Sequence, residues 1–130
     1  MSIEQKNVLV VDDSADVRIL LTDLLAEAGA NVIACSDGRQ ALHHLDQDEF
    51  DLVVTDILMP EEDGFSVIRT LKESDNPVPV LAISGGNATL APYWLLKITQ
   101  SLGVDAVLHK PFEPDEFLTI VSRLVQVRHL

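Results

Sequence analysis

The chain has 130 residues, 47% of them hydrophobic, a size and composition that suit one domain over residues 1–130. A formal net charge of −12 at pH 7 argues against direct binding to nucleic acid or to an anionic membrane surface. No apolar run is long enough to span a bilayer, no secretory signal is recognisable and the single cysteine, Cys35, suits a reducing compartment, so we expect a cytoplasmic protein.

Short β-branched runs alternate along the chain with segments of helical period, which is typical of a parallel sheet covered by helices. The runs predict strands at residues 8–11, 31–35, 52–55, 78–83 and 106–108. The five helical segments have apolar stripes at Val17, Leu20, Leu21, Leu24 and Ala28; Ala41, Leu42 and Leu45; Phe65, Ile68 and Leu71; Leu95, Ile98, Thr99 and Leu102; and Phe117, Ile120, Val121 and Leu124. This alternation predicts an α/β fold, a doubly wound parallel sheet of (βα)5 type with the flavodoxin-like strand order 2-1-3-4-5.

Polar residues follow four of the five predicted strands. Asp12 and Asp13 follow the first strand and Asp56 follows the third. Ser84 follows the fourth strand, and Lys110 comes shortly after the fifth. In the order 2-1-3-4-5 these four strand ends are neighbours, at the edge where such sheets bind their ligands. We therefore expect the five side chains to share one site.

Three carboxylates at one edge repel one another, by roughly 1 kcal/mol for a pair about 4 Å apart in water and about 4 kcal/mol at an effective dielectric of 20. Lys110 supplies one positive charge, and the oxygen-only ligands suit Mg²⁺ as a second cation. Beside it, Asp56 is placed to attack a phosphoryl donor and form an acyl phosphate. Lys110 and Ser84 are suited to bind the phosphoryl oxygens.

Each of these residues also has an ordinary structural explanation. Asp12 and Asp13 could cap the first helix, Ser84 could be a turn residue and Lys110 a solvated charge. Asp56 is harder to explain in this way, because it ends a nearly continuous apolar strand. The joint occurrence of these residues at adjacent strand ends favours the functional interpretation.

The segments VLVVDDS, SDGRQALHHL, DLVVTDILMPEEDGF, AIS and AVLHKPF follow one another in this order. Together they resemble the response regulator receiver domain of two-component signalling, over essentially the whole chain. The resemblance implies that Asp56 is the phosphorylated residue, that Lys110 and Ser84 assist catalysis, and that the peptide before Pro111 is cis. It implies a Mg²⁺ site formed by Asp12, Asp13, Asp56 and the main-chain carbonyl of Leu58.

The resemblance also implies partners. The phosphodonor of the family is a histidine kinase or a histidine phosphotransfer protein. The receiver catalyses only its own phosphorylation and dephosphorylation, so it is not an enzyme acting on a separate substrate. Output passes to a downstream protein or to a second copy of the chain through the face of the fourth helix, fifth strand and fifth helix.

Three features bear on the switch and on these partner contacts. Val107 stands where the family often has Tyr or Phe, so an aromatic rotamer switch is impossible there, although movement of Ser84 is not. Tyr93 and Trp94 lie off the buried stripe of the fourth predicted helix, which favours a partner surface or, alternatively, packing against the preceding loop. Ile19 lies off the first stripe near the acidic pair, where the phosphodonor of the family docks.

Three other functions would leave different signatures in the sequence. A phosphatase with an aspartyl nucleophile on the first strand would typically carry a second acid two residues later, but that residue is Ser14. A flavin carrier would have a phosphate-binding loop rich in Ser, Thr or Gly after the first strand. A degenerate receiver that acts as a phosphorylation-independent interaction module is the main alternative, and the intact Asp13, Asp56, Ser84 and Lys110 argue against it.

Overall fold

The computed structural model describes residues 3–56, 63–73, 77–84 and 103–126. The strands are β1 (Asn7–Val11), β2 (Asn31–Cys35), β3 (Leu52–Asp56), β4 (Val80–Ser84) and β5 (Ala106–His109). The helices of the described ranges are α1 (Ala15–Glu27), α2 (Gly38–Gln47), α3 (Asp63–Lys72) and a C-terminal helix (Pro114–Leu124). Leu58, Tyr93, Trp94 and the predicted fourth helix lie outside the described residues.

The strands form one parallel sheet in the order β2-β1-β3-β4-β5, which confirms the predicted flavodoxin-like topology of a single domain. The central strands β3 and β4 are buried at every position. Helices on both faces of a parallel sheet explain why these strands are apolar up to their carboxyl ends rather than alternating. Among the helices that the structure describes, none combines the length and apolar character of a bilayer span.

Two apolar clusters fill the spaces between the sheet and its helices. On one face, α1 contributes Leu25 and the C-terminal helix contributes Phe117 to a cluster that also contains Val10 of β1. On the other face, α2 and α3 contribute residues such as Ala41 and Ile68. Successive residues of β1 alternate between the two clusters, as the pleat of a strand requires. Helices therefore pack against both faces of the sheet, and this packing positions the carboxyl ends of the strands.

The predicted stripe of α1 was wrong in one respect. Leu20 is 47% exposed, whereas Leu25 is fully buried although it lay outside the predicted stripe. The helix carries apolar residues around most of its circumference, so their spacing alone does not decide which face meets the sheet. Strand β4 also begins later than predicted, at Val80, and the carbonyl of Pro79 accepts a hydrogen bond from Val53 N at 3.0 Å.

Cys35 ends β2 with its side chain buried. Burial raises the pKa of the Cys35 thiol to about 11, and the charge of Asp37 acts in the same direction. The thiol is therefore protonated at neutral pH, and thiols in that form are poor nucleophiles. A buried, protonated thiol at this position suits a packing role for Cys35.

Among the described residues, two glycines have a positive φ, and replacing each with alanine tests how closely the neighbouring atoms pack around it. Gly29 has a φ of +95° and Gly103 one of +83°. A Cβ at Gly29 would lie 2.7 Å from Glu4 Cγ and 3.2 Å from Glu4 Cα, whereas at Gly103 the nearest atom of a described residue is Lys72 Cε at 3.9 Å. We expect Gly103→Ala to lower the free energy of unfolding by about 1–2 kcal/mol through backbone strain alone. Gly29→Ala adds a collision and should cost more in urea titrations; equal losses would contradict this.

Candidate functional site

Asp12, Asp13 and Asp56 form an acidic cluster at the carboxyl edge of the sheet. Each residue offers a carboxylate oxygen, and these oxygens all lie within 4.8 Å of one another. Asp12 is 1% exposed and Asp56 is 5% exposed, whereas Asp13 is exposed to solvent. Two of the three carboxylates of the acidic cluster are therefore buried, and the third, Asp13, is in contact with solvent.

The turn from β1 into α1 positions Asp12. Its N–H donates to the carbonyl of Cys35 at 3.1 Å, which continues the β1–β2 pairing by one residue. Its Oδ1 accepts a hydrogen bond from Ser14 N at 2.9 Å, an arrangement that stabilises tight turns. Ser14 is the N-cap of α1, and its hydroxyl accepts from Val17 N. Helix capping by Asp12 or Asp13, the structural alternative raised by the sequence, is therefore not their role here.

The second carboxylate oxygen of Asp12 is the unusual atom of the site. Asp12 Oδ2 is buried and accepts no hydrogen bond from any residue that the structure describes. Lys110 Nζ lies 3.6 Å away, outside the usual range of an N–H···O hydrogen bond. A buried carboxylate oxygen without a donor is costly. A hard cation with oxygen ligands fits this position, so the residues present suit Mg²⁺.

Lys110 approaches the acidic cluster from β5. Its Nζ lies 3.6 Å from Asp12 Oδ2 and 3.6 Å from Asp56 Oδ2. Its main-chain N–H donates to the carbonyl of Ser84 at 3.1 Å, and the peptide bond to Pro111 is cis, as the resemblance implies. Among the described residues, one ammonium group faces three carboxylates, which leaves a formal excess of negative charge. The arrangement is suited to an additional cation rather than to a closed ion-pair network.

Two further predicted residues lie near this edge. Ser84 is buried at the end of β4, one residue beyond Ile83, which pairs in register with Asp56. Val107 is half-buried in β5 and pairs with Ala82. Ser84 is thus on the strand adjacent to Asp56 and at the same edge. The structure therefore brings Asp12, Asp13, Asp56, Ser84 and Lys110 to one end of the sheet.

Helix α1 adds a contact that sequence reasoning missed. Arg18 Nη1 donates a hydrogen bond to the main-chain carbonyl of Asp12 at 2.7 Å. Arg18 is one helical turn after the cap residue Ser14, which places it within reach of the turn, but this spacing alone does not single out an arginine. On the same helix, Ile19 is 60% exposed, in agreement with its predicted position off the core stripe.

The family model of the response regulator receiver domain matches residues 8–122. The chain is 33% identical over 127 residues to the sensor protein EvgS of Escherichia coli (strain K12), covering 98% of this chain and 10% of that protein. It is 36% identical over 128 residues to the probable transcriptional regulator ycf27 of Cyanophora paradoxa, covering 97% of this chain. The chain spans 51% of that regulator, so both relatives are much longer.

A solved structure gives the same result at the level of the fold. The chemotaxis response regulator CheY4 of Vibrio cholerae matches with a TM-score of 0.80 and 28% sequence identity. The match covers 92% of this chain and 98% of that chain. The similarity thus extends over nearly the full length of both chains.

Repulsion within the acidic cluster predicts that removing one carboxylate stabilises the metal-free protein. Two carboxylates about 4 Å apart repel by roughly 1 kcal/mol in water, so Asp13→Asn should raise the free energy of unfolding by up to about that amount. Asp23→Asn is the control, since Asp23 is exposed on α1 and makes the same change in net charge. Urea unfolding at pH 7 in EDTA provides the measurement. The account of the cluster is contradicted if Asp13→Asn destabilises the protein or if both variants behave alike.

Proposed function

Because the chain belongs to the response regulator receiver domain family of two-component signal transduction, we propose that Asp56 accepts a phosphoryl group from a phosphohistidine donor. The observation that carries the proposal is the setting of the Asp56 carboxylate. It is almost fully buried, it lies 3.6 Å from the ammonium group of Lys110, and it belongs to the acidic cluster. A histidine kinase or a histidine phosphotransfer protein would supply the phosphoryl group.

The chemistry needs no separate base, because an ionised carboxylate is already the nucleophile. An Asp56 oxygen forms a bond to phosphorus while the bond between phosphorus and the donor imidazole nitrogen breaks. The electron pair of that bond leaves with the imidazole, and the product is an acyl phosphate on Asp56. Lys110 holds one phosphoryl oxygen through its positive charge, and Ser84 donates a hydroxyl hydrogen bond to another.

Asp12, Asp13 and Asp56, with the main-chain carbonyl of Leu58, would hold Mg²⁺. When bound, the ion offsets the negative charge of the carboxylates and of the phosphoryl oxygens. Support comes from Asp12 Oδ2, which is buried without a hydrogen bond in the described part of the chain.

Phosphorylation would then alter a partner surface. We assign the switch to Ser84, whose movement changes the face formed by the predicted fourth helix, β5 and the C-terminal helix. Val107 excludes an aromatic rotamer switch in this chain, and Tyr93 and Trp94 are the proposed contacts for a downstream protein or a second copy of the chain. Ile19, exposed on α1, is the proposed contact for the phosphodonor.

The proposed module comprises residues 1–130 and works in the cytoplasm. It catalyses only its own phosphorylation and dephosphorylation, and its output passes through protein contacts rather than through direct binding to nucleic acid. The negative net charge of −12 is consistent with this division of roles.

Incubation with acetyl phosphate tests the proposal directly. We expect a gain of one phosphoryl group in the intact mass of the protein when Mg²⁺ is present, and a much smaller gain in EDTA. Asp56→Asn should abolish the gain because it removes the nucleophilic carboxylate. Asp46→Asn should leave it unchanged, since Asp46 is exposed on α2 and outside the acidic cluster.

A folded wild-type protein that gains no phosphoryl group, beside a control receiver that does, would contradict the proposal. That result would instead favour the degenerate receiver, in which the same fold serves only for protein interaction. Gain of the group by Asp56→Asn would show that another residue is the acceptor.

A further inference from the structure

Arg18 reaches from α1 to the turn that carries the acidic cluster. Its Nη1 lies 2.7 Å from the main-chain oxygen of Asp12. We propose that Arg18 is a positioning residue for Mg²⁺ binding, which acts by fixing the orientation of Asp12. This inference rests on the proposed function, because it assumes that Asp12 is a ligand of the ion.

Three of the four polar groups of Asp12 have defined partners. The N–H is bonded to Cys35 of β2, the Oδ1 to the N–H of Ser14, and the carbonyl oxygen to Arg18. Only Oδ2 has no hydrogen bond among the described residues. These three bonds come from different parts of the fold and together fix both the backbone and the carboxylate plane. The oxygen left over, Oδ2, is the one that lies 3.6 Å from Lys110 Nζ.

Arg18 is the side-chain member of this set, since the other two partners are main-chain groups. A charged donor at 2.7 Å makes a stronger hydrogen bond than a neutral one. A second, weaker observation on the Arg18 guanidinium concerns Cys35, the last residue of β2. Burial raises the pKa of the Cys35 thiol, and the positive charge of Arg18 acts on that pKa in the opposite direction. The hydrogen bond to Asp12 places the guanidinium at the carboxyl end of β1.

Positioning and electrostatics predict opposite results when Arg18 is replaced. Arg18 carries a positive charge close to a cation site, so its charge alone opposes Mg²⁺ binding, and removing it would tighten binding. If Arg18 acts by orienting Asp12, removing it frees the carbonyl and the turn, and binding weakens. Residues that orient metal ligands typically change metal affinity by about 10- to 100-fold. The sign of the change in affinity therefore separates the two effects.

The test compares three variants by isothermal titration calorimetry with MgCl₂. Arg18→Met removes the donor and the charge but keeps an extended apolar side chain, and we expect the dissociation constant for Mg²⁺ to rise about tenfold. Arg18→Lys keeps the charge and one donor group and should recover part of the affinity. Arg123→Met makes the same change in net charge on the exposed last turn of the C-terminal helix and should bind Mg²⁺ like the wild type.

Urea unfolding of each variant in EDTA measures the metal-free stability separately. A purely structural Arg18 would lower that stability while leaving the Mg²⁺ affinity of the folded protein unchanged, and this result overturns the proposal. Unchanged or tighter Mg²⁺ binding by Arg18→Met overturns it as well. If the wild type itself binds no Mg²⁺, the metal site fails and the role of Arg18 fails with it. Mg²⁺ binding by the wild type alongside an unaffected Arg18→Met removes only the role of Arg18.

Discussion

Mutual repulsion among Asp12, Asp13 and Asp56 is the constraint on which the rest of the site depends. Their carboxylate oxygens lie within 4.8 Å of one another, and two of the three residues are almost fully buried. Such a group is tolerated only if positive charge is close, and Lys110 lies 3.6 Å from two of the carboxylates. In the part of the chain that the structure describes, this single ammonium group leaves negative charge in excess. That imbalance is the physical basis of the proposed Mg²⁺ site and of the proposed phosphoryl transfer.

The fold supplies the force that keeps the carboxylates together. The two apolar clusters bury the central strands from both faces and fix the relative positions of their carboxyl ends. Apolar burial contributes roughly 25 cal/mol per Å² of surface removed from water, so a core of this kind readily offsets a repulsion of a few kcal/mol. Apolar burial in the sheet and its helices thus stabilises the fold, and the repulsion among the carboxylates offsets part of that stabilisation.

The sequence contained enough information to predict the sheet order and the five polar residues at its edge. The strands of a parallel sheet all end at the same edge, so the proximity of Asp56 and Ser84 could be predicted from the strand order alone. The exposure of Leu20 could not be predicted, because α1 is apolar over most of its surface and only contact with the sheet selects a face. The contact of Arg18 with Asp12 depends on the conformation of a long side chain, and no periodic pattern encodes that conformation.

The central claim is that Asp56 is the nucleophile, and chemical identification of the phosphorylated residue tests it most directly. Protein phosphorylated by acetyl phosphate in MgCl₂ is reduced with sodium borohydride, which converts an aspartyl phosphate into homoserine, and then digested and sequenced by tandem mass spectrometry. The account predicts homoserine at position 56 and aspartate at positions 12 and 13. Homoserine at position 12 or 13, or a phosphoryl group on a residue that borohydride does not reduce, would contradict it.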